Sequence, residues 1–252
     1  MGLPLVGIEP IVTWLGRPVN SADEPWYRFG RVIAAVNRSV ALPADAMWLD
    51  VGCQMGQFLK VVQGTYGTKP YGIDDFELAT AVEVCRKYLR LEISTPDEIF
   101  DGSWHYYCRQ IDQVGFALDE RFDVISALEI IEHMIDTDAF LDECRNHLKA
   151  DGWLVITTPN INSLRNRVTV PLGKYPTGIE YRTIVHHVRL YNAATLKSHI
   201  ESHGFRLIDM SGVSFLPRHR MVRGRIQQID RCLSRSLPSL CGNLIAVFRR
   251  QG

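Results

Sequence analysis

The sequence contains no apolar run approaching the ~18 residues that a membrane-crossing helix requires. Its opening carries Glu9 and Pro10 and no basic residue before Arg17, which is not the pattern of a secretory leader. Position 6 is Val6, so the myristoylation pattern fails although Gly2 follows Met1. The six cysteines, Cys53, Cys85, Cys108, Cys144, Cys232 and Cys241, form no C-x-x-C pair. That removes the usual zinc spacing, and scattered thiols in a chain of this size fit a reducing cytoplasm. Net charge is also missing. Lys plus Arg and Asp plus Glu both number 28, which argues against a nucleic-acid coat protein. Neither G-x-G-x-x-G nor Gly-Lys-Ser/Thr occurs, so a dinucleotide fingerprint and a phosphate loop are both excluded.

What is present is ordinary globular composition: 252 residues, 46% hydrophobic and 22% charged, enough for one domain with additions. Charge is unevenly placed. From Phe205 onward nine arginines face only Asp209 and Asp230, a balance of +7, and residues 1–204 carry 19 basic and 26 acidic residues, a balance of −7.

Prolines 4, 10, 18 and 25 make the first 25 residues loop-like. Helical spacing follows over 26–40, with Phe29, Ile33, Val36 and Val40 on one side. Strands are expected over 47–51, 70–74, 104–111, 122–128, 153–158, 206–210 and 244–249, and helices over 57–62, 77–91, 138–148 and 192–202. This alternation predicts an α/β fold: a Rossmann-like, doubly wound, mostly parallel seven-stranded sheet with helices on both faces. Residues 1–42 are expected to form an N-terminal loop and helix that cover part of the ligand site, and 43–252 the main domain. Ligands of such sheets bind beyond the carboxyl ends of the strands, so the loops after strands one, two and four are where chemistry belongs.

The first strand ends in Leu49-Asp50-Val51-Gly52-Cys53-Gln54-Met55-Gly56. Two glycines at a strand-to-helix turn let backbone approach a ligand, or simply permit tight packing. The second strand ends in Gly72-Ile73-Asp74-Asp75. An acid there accepts hydrogen bonds from ribose hydroxyls or caps the next helix, and its register after the first turn favours the ribose. The fourth strand runs Phe122-Asp123-Val124-Ile125-Ser126-Ala127-Leu128-Glu129 and continues Ile130-Ile131-Glu132-His133. Later comes Leu148-Lys149-Ala150-Asp151-Gly152-Trp153-Leu154-Val155-Ile156-Thr157-Thr158-Pro159-Asn160.

These motifs, in this order over about residues 45–160, resemble the class I S-adenosylmethionine-dependent methyltransferases, in the group that includes the ubiquinone-pathway O-methyltransferases. The resemblance implies S-adenosylmethionine as cofactor. It implies that Asp50, Gly52, Cys53 and Gly56 cradle its methionine part, that Asp74 binds the ribose, that Asp112 lies near the adenine amine, and that Glu129 lines the pocket near the reactive methyl. Two departures stand out. Gln54 occupies a position where the family has glycine, so it either crowds the cofactor or takes an unusual backbone angle. Ala150-Asp151-Gly152 replaces Pro-Gly-Gly.

Residues 161–190 form a long insertion after strand five, read as a lid. The stretch from Thr158 to Phe205 resembles bacterial methyltransferases of surface-glycan and natural-product pathways, whose H-x-R-x-F/Y pattern His187, Arg189 and Tyr191 match. Methyl transfer to an alcohol mainly needs alignment and a general base. His187 and then His133 are the expected bases, with a lid-pinning or loop-capping role as the alternative. Arg165, Arg167 and Arg189 offer forks for an anionic acceptor, and Arg165, Arg189 and Tyr191 are expected to bind substrate. No metal is expected, since no paired-carboxylate spacing stands out, and Asn/Asp-Pro-Pro-aromatic is missing after strand four, which disfavours a nucleic-acid substrate.

Over 218–236, Val222, Ile226, Ile229 and Leu233 recur at spacings of four, three and four, among six arginines. This basic helix is expected to dock on the acidic body of its own domain or on a second copy in a homodimer. The alternative is peripheral contact with an anionic membrane. The expectation as a whole is a cytoplasmic O-methyltransferase acting on a small-molecule hydroxyl, first a sugar or glycan acceptor. A quinone, phenolic or other natural-product acceptor is the alternative, and a non-catalytic cofactor-binding partner protein is the rival from another class.

Overall fold

The computed structural model describes residues 26–68, 70–75, 77–87, 98–99, 102–109, 111, 116, 118–176, 187–215 and 225–252, together with two-residue strands at Thr13–Trp14 and Arg17–Pro18. Helix α1 spans Trp26–Ser39 and buries Trp26, Phe29, Val32, Ile33 and Val36, a stripe of helical period. The remaining elements follow in order: β1 Trp48–Val51, α2 Gln57–Tyr66, β2 Tyr71–Asp74, α3 Leu78–Lys87, β3 His105–Cys108, β4 Phe122–Leu128, α4 Thr137–His147 and β5 Leu148–Pro159. After the short helix α5 Leu164–Thr169 come α6 Ala193–Ser202, β6 Phe205–Gly212, α7 Arg225–Ser236 and β7 Asn243–Arg250.

The seven strands pair in the order β3-β2-β1-β4-β5-β7-β6, and β7 alone runs antiparallel to its neighbours. The expected mostly parallel, doubly wound sheet is therefore what forms. Successive side chains of a strand point to opposite faces. Leu49 and Ile125 accordingly enter a core shared with Leu141 of α4 and Ile200 of α6, and Trp48 and Val124 enter one shared with α1 and α2. Strand order reverses between β1 and β4, and that is where the crevice of such a sheet opens.

The central strands match their expected ranges to within a residue, and β5 is longer. It begins at Leu148, because the turn through Asp151 (φ 61) joins the strand instead of preceding it. Strand three is shorter than expected, since Trp104 leaves the ladder to pack beneath Gly56 and Gly72. All six cysteines are free thiols. Among the described residues no helix is long and apolar enough to cross a membrane.

The basic tail corrects one expectation. Helix α7 does lie on its own domain, against β6 and α1, but of the described stripe residues Leu233 is only half-buried. Ile229 is exposed, and the buried residues are Asp230 and Ser234. The Tyr27 hydroxyl donates to Asp230 Oδ2 (3.2 Å), the Phe215 amide donates to Asp230 Oδ1 (2.9 Å), and Arg31 donates to Ser234 Oγ (3.1 Å) and to the Gly212 carbonyl (3.2 Å). Docking therefore uses an aspartate of the basic tail and an arginine of the acidic body, the reverse of what net charge suggests. Val222 lies outside the described residues.

Candidate functional site

Backbone shape builds the first half of the site. Beyond β1 the chain turns through Gly52 (φ 73), Gln54 (φ 47) and Gly56 (φ 74) into α2. A Cβ on Gly52 would stand 2.0 Å from Ile130 Cδ1, and one on Gly56 would stand 2.5 Å from the Trp104 ring. Positive φ and close approach together demand glycine at both positions. Gln54 is the departure seen in the sequence, and it resolves as a backbone effect. Its side chain is exposed rather than in the turn, and its amide donates to Asp74 Oδ2 (2.8 Å), which locks the end of β2 to the β1 turn. Left-handed backbone at a non-glycine residue costs about 1–2 kcal/mol, and this charge-assisted bond offsets part of it.

Asp50 lies beneath the turn, fully buried. Ser126 Oγ donates to its Oδ1 (2.6 Å) and itself accepts from Trp48 Nε1 (2.8 Å). Burial pushes the Asp50 carboxyl up to about 7 against the Ser126 bond, with the nearby Asp74 adding to the rise. Cys53 is buried too, and burial with the charges of Asp50 and Asp74 holds its thiol well above the ordinary range. It packs; it is not a nucleophile. Asp50, Gly52, Cys53, Gly56 and Asp74 thus gather at the ends of β1 and β2. Asp112 lies outside the described residues. A side-chain-free turn with a carboxylate at the neighbouring strand end fits the methionine and ribose parts of S-adenosylmethionine.

Side chains from distant segments build the second half. At the end of β4, Glu129 adopts φ 60, a strained angle for this residue. Its Oε2 accepts from Asn243 Nδ2 of β7 (2.6 Å) and pairs with Arg28 of α1 (3.3 Å), and its buried Oε1 has no hydrogen-bond partner. Glu132 is buried. Thr158 of β5 donates to its Oε2 (3.0 Å), and its Oε1 also lacks a partner. Burial, then the charge of Glu129, push the Glu132 carboxyl up to about 8. The rings of His133 and His187 meet edge to face at 4.7 Å. The amides of Val188 and Arg189 donate to the Glu132 carbonyl (2.9 and 3.1 Å), which pins the returning lid segment to the β4 loop.

Glu132, His133 and His187 each bring one ligand atom within 4.8 Å of the others, a set able to hold a divalent cation. No local spacing marks this set, because His187 comes from a remote segment. The structure thus brings together Glu129, His133 and His187 as expected and adds Arg28, Glu132, Thr158 and Asn243. Of these only Glu132, three residues after Glu129, left a readable signal.

Tyr191 requires a correction. It is buried in the core, and its hydroxyl bonds His199 Nδ1 (3.0 Å), so it packs instead of facing an acceptor. Arg165 lies exposed on α5, and Arg189 donates to the Ile135 carbonyl (2.9 Å), bracing the β4 loop. Residues 177–186 of the lid lie outside the described residues.

Residues 26–209 match the family model described as a methyltransferase domain. The mitochondrial ubiquinone biosynthesis O-methyltransferase of Homo sapiens is 28% identical over 200 residues, covering 79% of this chain and 52% of that protein. The chain therefore spans about half the length of this relative. A solved SAM-dependent methyltransferase of Thermotoga maritima, described as a possible histamine N-methyltransferase, superposes with a TM-score of 0.57 at 14% identity, covering 90% of each chain. The 4+2 cyclase SpnF superposes with a TM-score of 0.57 at 18% identity, covering 92% of this chain and 85% of that one. These two likenesses are of fold, and the cyclase illustrates that one fold carries more than one reaction. The chain belongs to the class I S-adenosylmethionine-dependent methyltransferases.

Proposed function

We propose that the protein transfers the methyl group of S-adenosylmethionine to a hydroxyl of an aromatic, phenolic or quinone-type acceptor. One observation carries this reading. Ile130 rests on the glycine turn at Gly52, and its neighbours Glu129, Glu132 and His133 converge with His187, so cofactor turn and polar cluster share one short loop. When bound, the cofactor supplies an electrophilic methyl on a sulfonium, and the chain's task is to align an acceptor oxygen and take its proton. His187 or His133 accepts that proton. Arg28 and Asn243 hold Glu129 in place, and the open oxygens of Glu129 and Glu132 accept a second hydroxyl of the acceptor. A divalent cation on Glu132, His133 and His187 would supply Lewis acidity to the same oxygen.

Two features favour an aromatic acceptor over the sugar expected from sequence. The relative that matches over most of this chain acts in ubiquinone biosynthesis by its name. The segment after β5 also exposes Val168, Val170, Leu172 and Tyr175, apolar side chains suited to a ring or an isoprenoid. Helix α1, which supplies Arg28, acts as part of the acceptor-site cover.

The test is transfer of labelled methyl to a panel of catechols, hydroquinones and sugars, with and without chelator. Methylated catechol or hydroquinone is expected. Transfer to sugars alone would overturn the acceptor class. Cofactor binding without transfer to any acceptor would favour the non-catalytic reading, and loss of transfer with chelator would assign the cluster to a cation.

A further inference from the structure

A second group of metal-ligand type lies at the surface, on the helices α4 and α6. Asp138 stands in the first turn of α4, and His199 and His203 stand four residues apart on α6, which places both rings on one face. Asp138 Oδ1 lies 2.7 Å from His199 Nε2 and 3.2 Å from His203 Nε2. The outward nitrogens are each occupied. His199 Nδ1 meets the Tyr191 hydroxyl (3.0 Å), and His203 Nδ1 meets Asp142 Oδ1 (3.0 Å). Both histidines are partly exposed and Asp138 is largely exposed, so solvent reaches the group.

We propose that Asp138, His199 and His203 form a zinc site. Two imidazoles and one carboxylate are a donor set that Zn²⁺ binds with a fourth position left to water. The partners at Nδ1 are what such a site needs. The Nδ1–H of each histidine then donates to Tyr191 or Asp142, which fixes the tautomer with Nε2 free to bind metal and holds each ring in place. Ligand bonds of about 2.0–2.1 Å put tetrahedral donors ~3.3 Å apart. The present separations, 2.7 and 3.2 Å, are shorter by about 0.6 and about 0.1 Å, and Asp138, which is largely exposed, has room to move outward by that amount. Tyr191 pairs with Asn160 where the lid rejoins the domain, so zinc here ties α4, α6 and the lid's return together. The inference does not depend on the acceptor or on methyl transfer.

The test is calorimetric titration of the untagged full chain with Zn²⁺, repeated with Co²⁺ and read by its visible absorption bands. Wild type is expected to bind at this site with micromolar or tighter affinity and to melt at higher temperature with zinc, reversibly on chelation. The H199A/H203A double variant is expected to weaken this site at least about a hundredfold. D138N, on an exposed position that leaves folding intact, is expected to weaken it about tenfold. The H133A/H187A variant is expected to keep the site, which separates it from the cluster at the β4 loop. Zinc binding by H199A/H203A equal to wild type, or no zinc or cobalt bound by wild type, would overturn the proposal.

Discussion

The two halves of the site are built from different materials. The half we propose for the cofactor is backbone: two glycines at positive φ, a left-handed Gln54, and an acid tied to that turn by one amide, all within a short stretch of chain. The half we propose for the acceptor is side chains: Arg28 from α1, Glu129, Glu132 and His133 from the β4 loop, Thr158 from β5, His187 from the segment before α6 and Asn243 from β7. A backbone cradle reads a ligand common to many relatives, and a side-chain pocket assembled from five segments can be rebuilt for a new acceptor while the cradle is kept. Substitutions in one half should therefore leave the other's ligand alone.

The largest effect is expected from the acceptor half. Replacing both His133 and His187 with alanine should lower the methyl-transfer rate by roughly 10²–10⁴, with cofactor affinity unchanged, as followed by labelled-methyl turnover and calorimetry together. Near-normal turnover would leave alignment alone to carry the reaction. In the cofactor half, Asp74→Ala removes the carboxylate that holds the Gln54 amide and faces the ribose position. It should weaken cofactor binding by ~1–3 kcal/mol, measured by titration with S-adenosylhomocysteine.

A third prediction concerns pH. The carboxyl of Asp50 is raised in the folded chain from 3.8 to about 7. The folded state therefore holds this proton more tightly than the unfolded one, and the stability it brings is full below 3.8 and lost as pH rises through about 7. Asp50→Asn should flatten that loss, which runs at no more than ~1.4 kcal/mol per pH unit, in melting curves taken from pH 4 to 8. The smallest effect is expected at Gln54. Glycine there relieves a left-handed cost of about 1–2 kcal/mol but gives back roughly 0.5–1 in chain entropy, so Gln54→Gly should stabilise by up to about 1.5 kcal/mol. A destabilised Gln54→Gly would mean that the side chain itself supports the turn.

The difference between the halves also decided what could be read from sequence. Asp50, Gly52, Gly56 and Asp74 sit at fixed offsets from strand ends, and a turn leaves its glycines in order, so the fold and the cradle were legible. Even the odd angle at Gln54 was legible, because a side chain where glycine is expected forces that question. Arg28 and Asn243 were not, since their partner Glu129 lies about a hundred residues from either and no periodicity links them. Tyr191 followed a motif but turned into the core, where an aromatic ring gains more from burial. Helix α7 misled for a related reason. Its apolar spacing is real, yet Ile229 is exposed while Asp230 and Ser234 are buried and hydrogen-bonded, and hydrophobic pattern does not register such bonds.

The division of labour between the halves is tested most directly by titrating S-adenosylhomocysteine into wild type, the His133/His187 double alanine variant and Asp74→Ala under one set of conditions. The account expects the double variant to match wild type within about threefold and Asp74→Ala to bind at least about fivefold more weakly. A double variant that loses the ligand while Asp74→Ala keeps it would contradict the account.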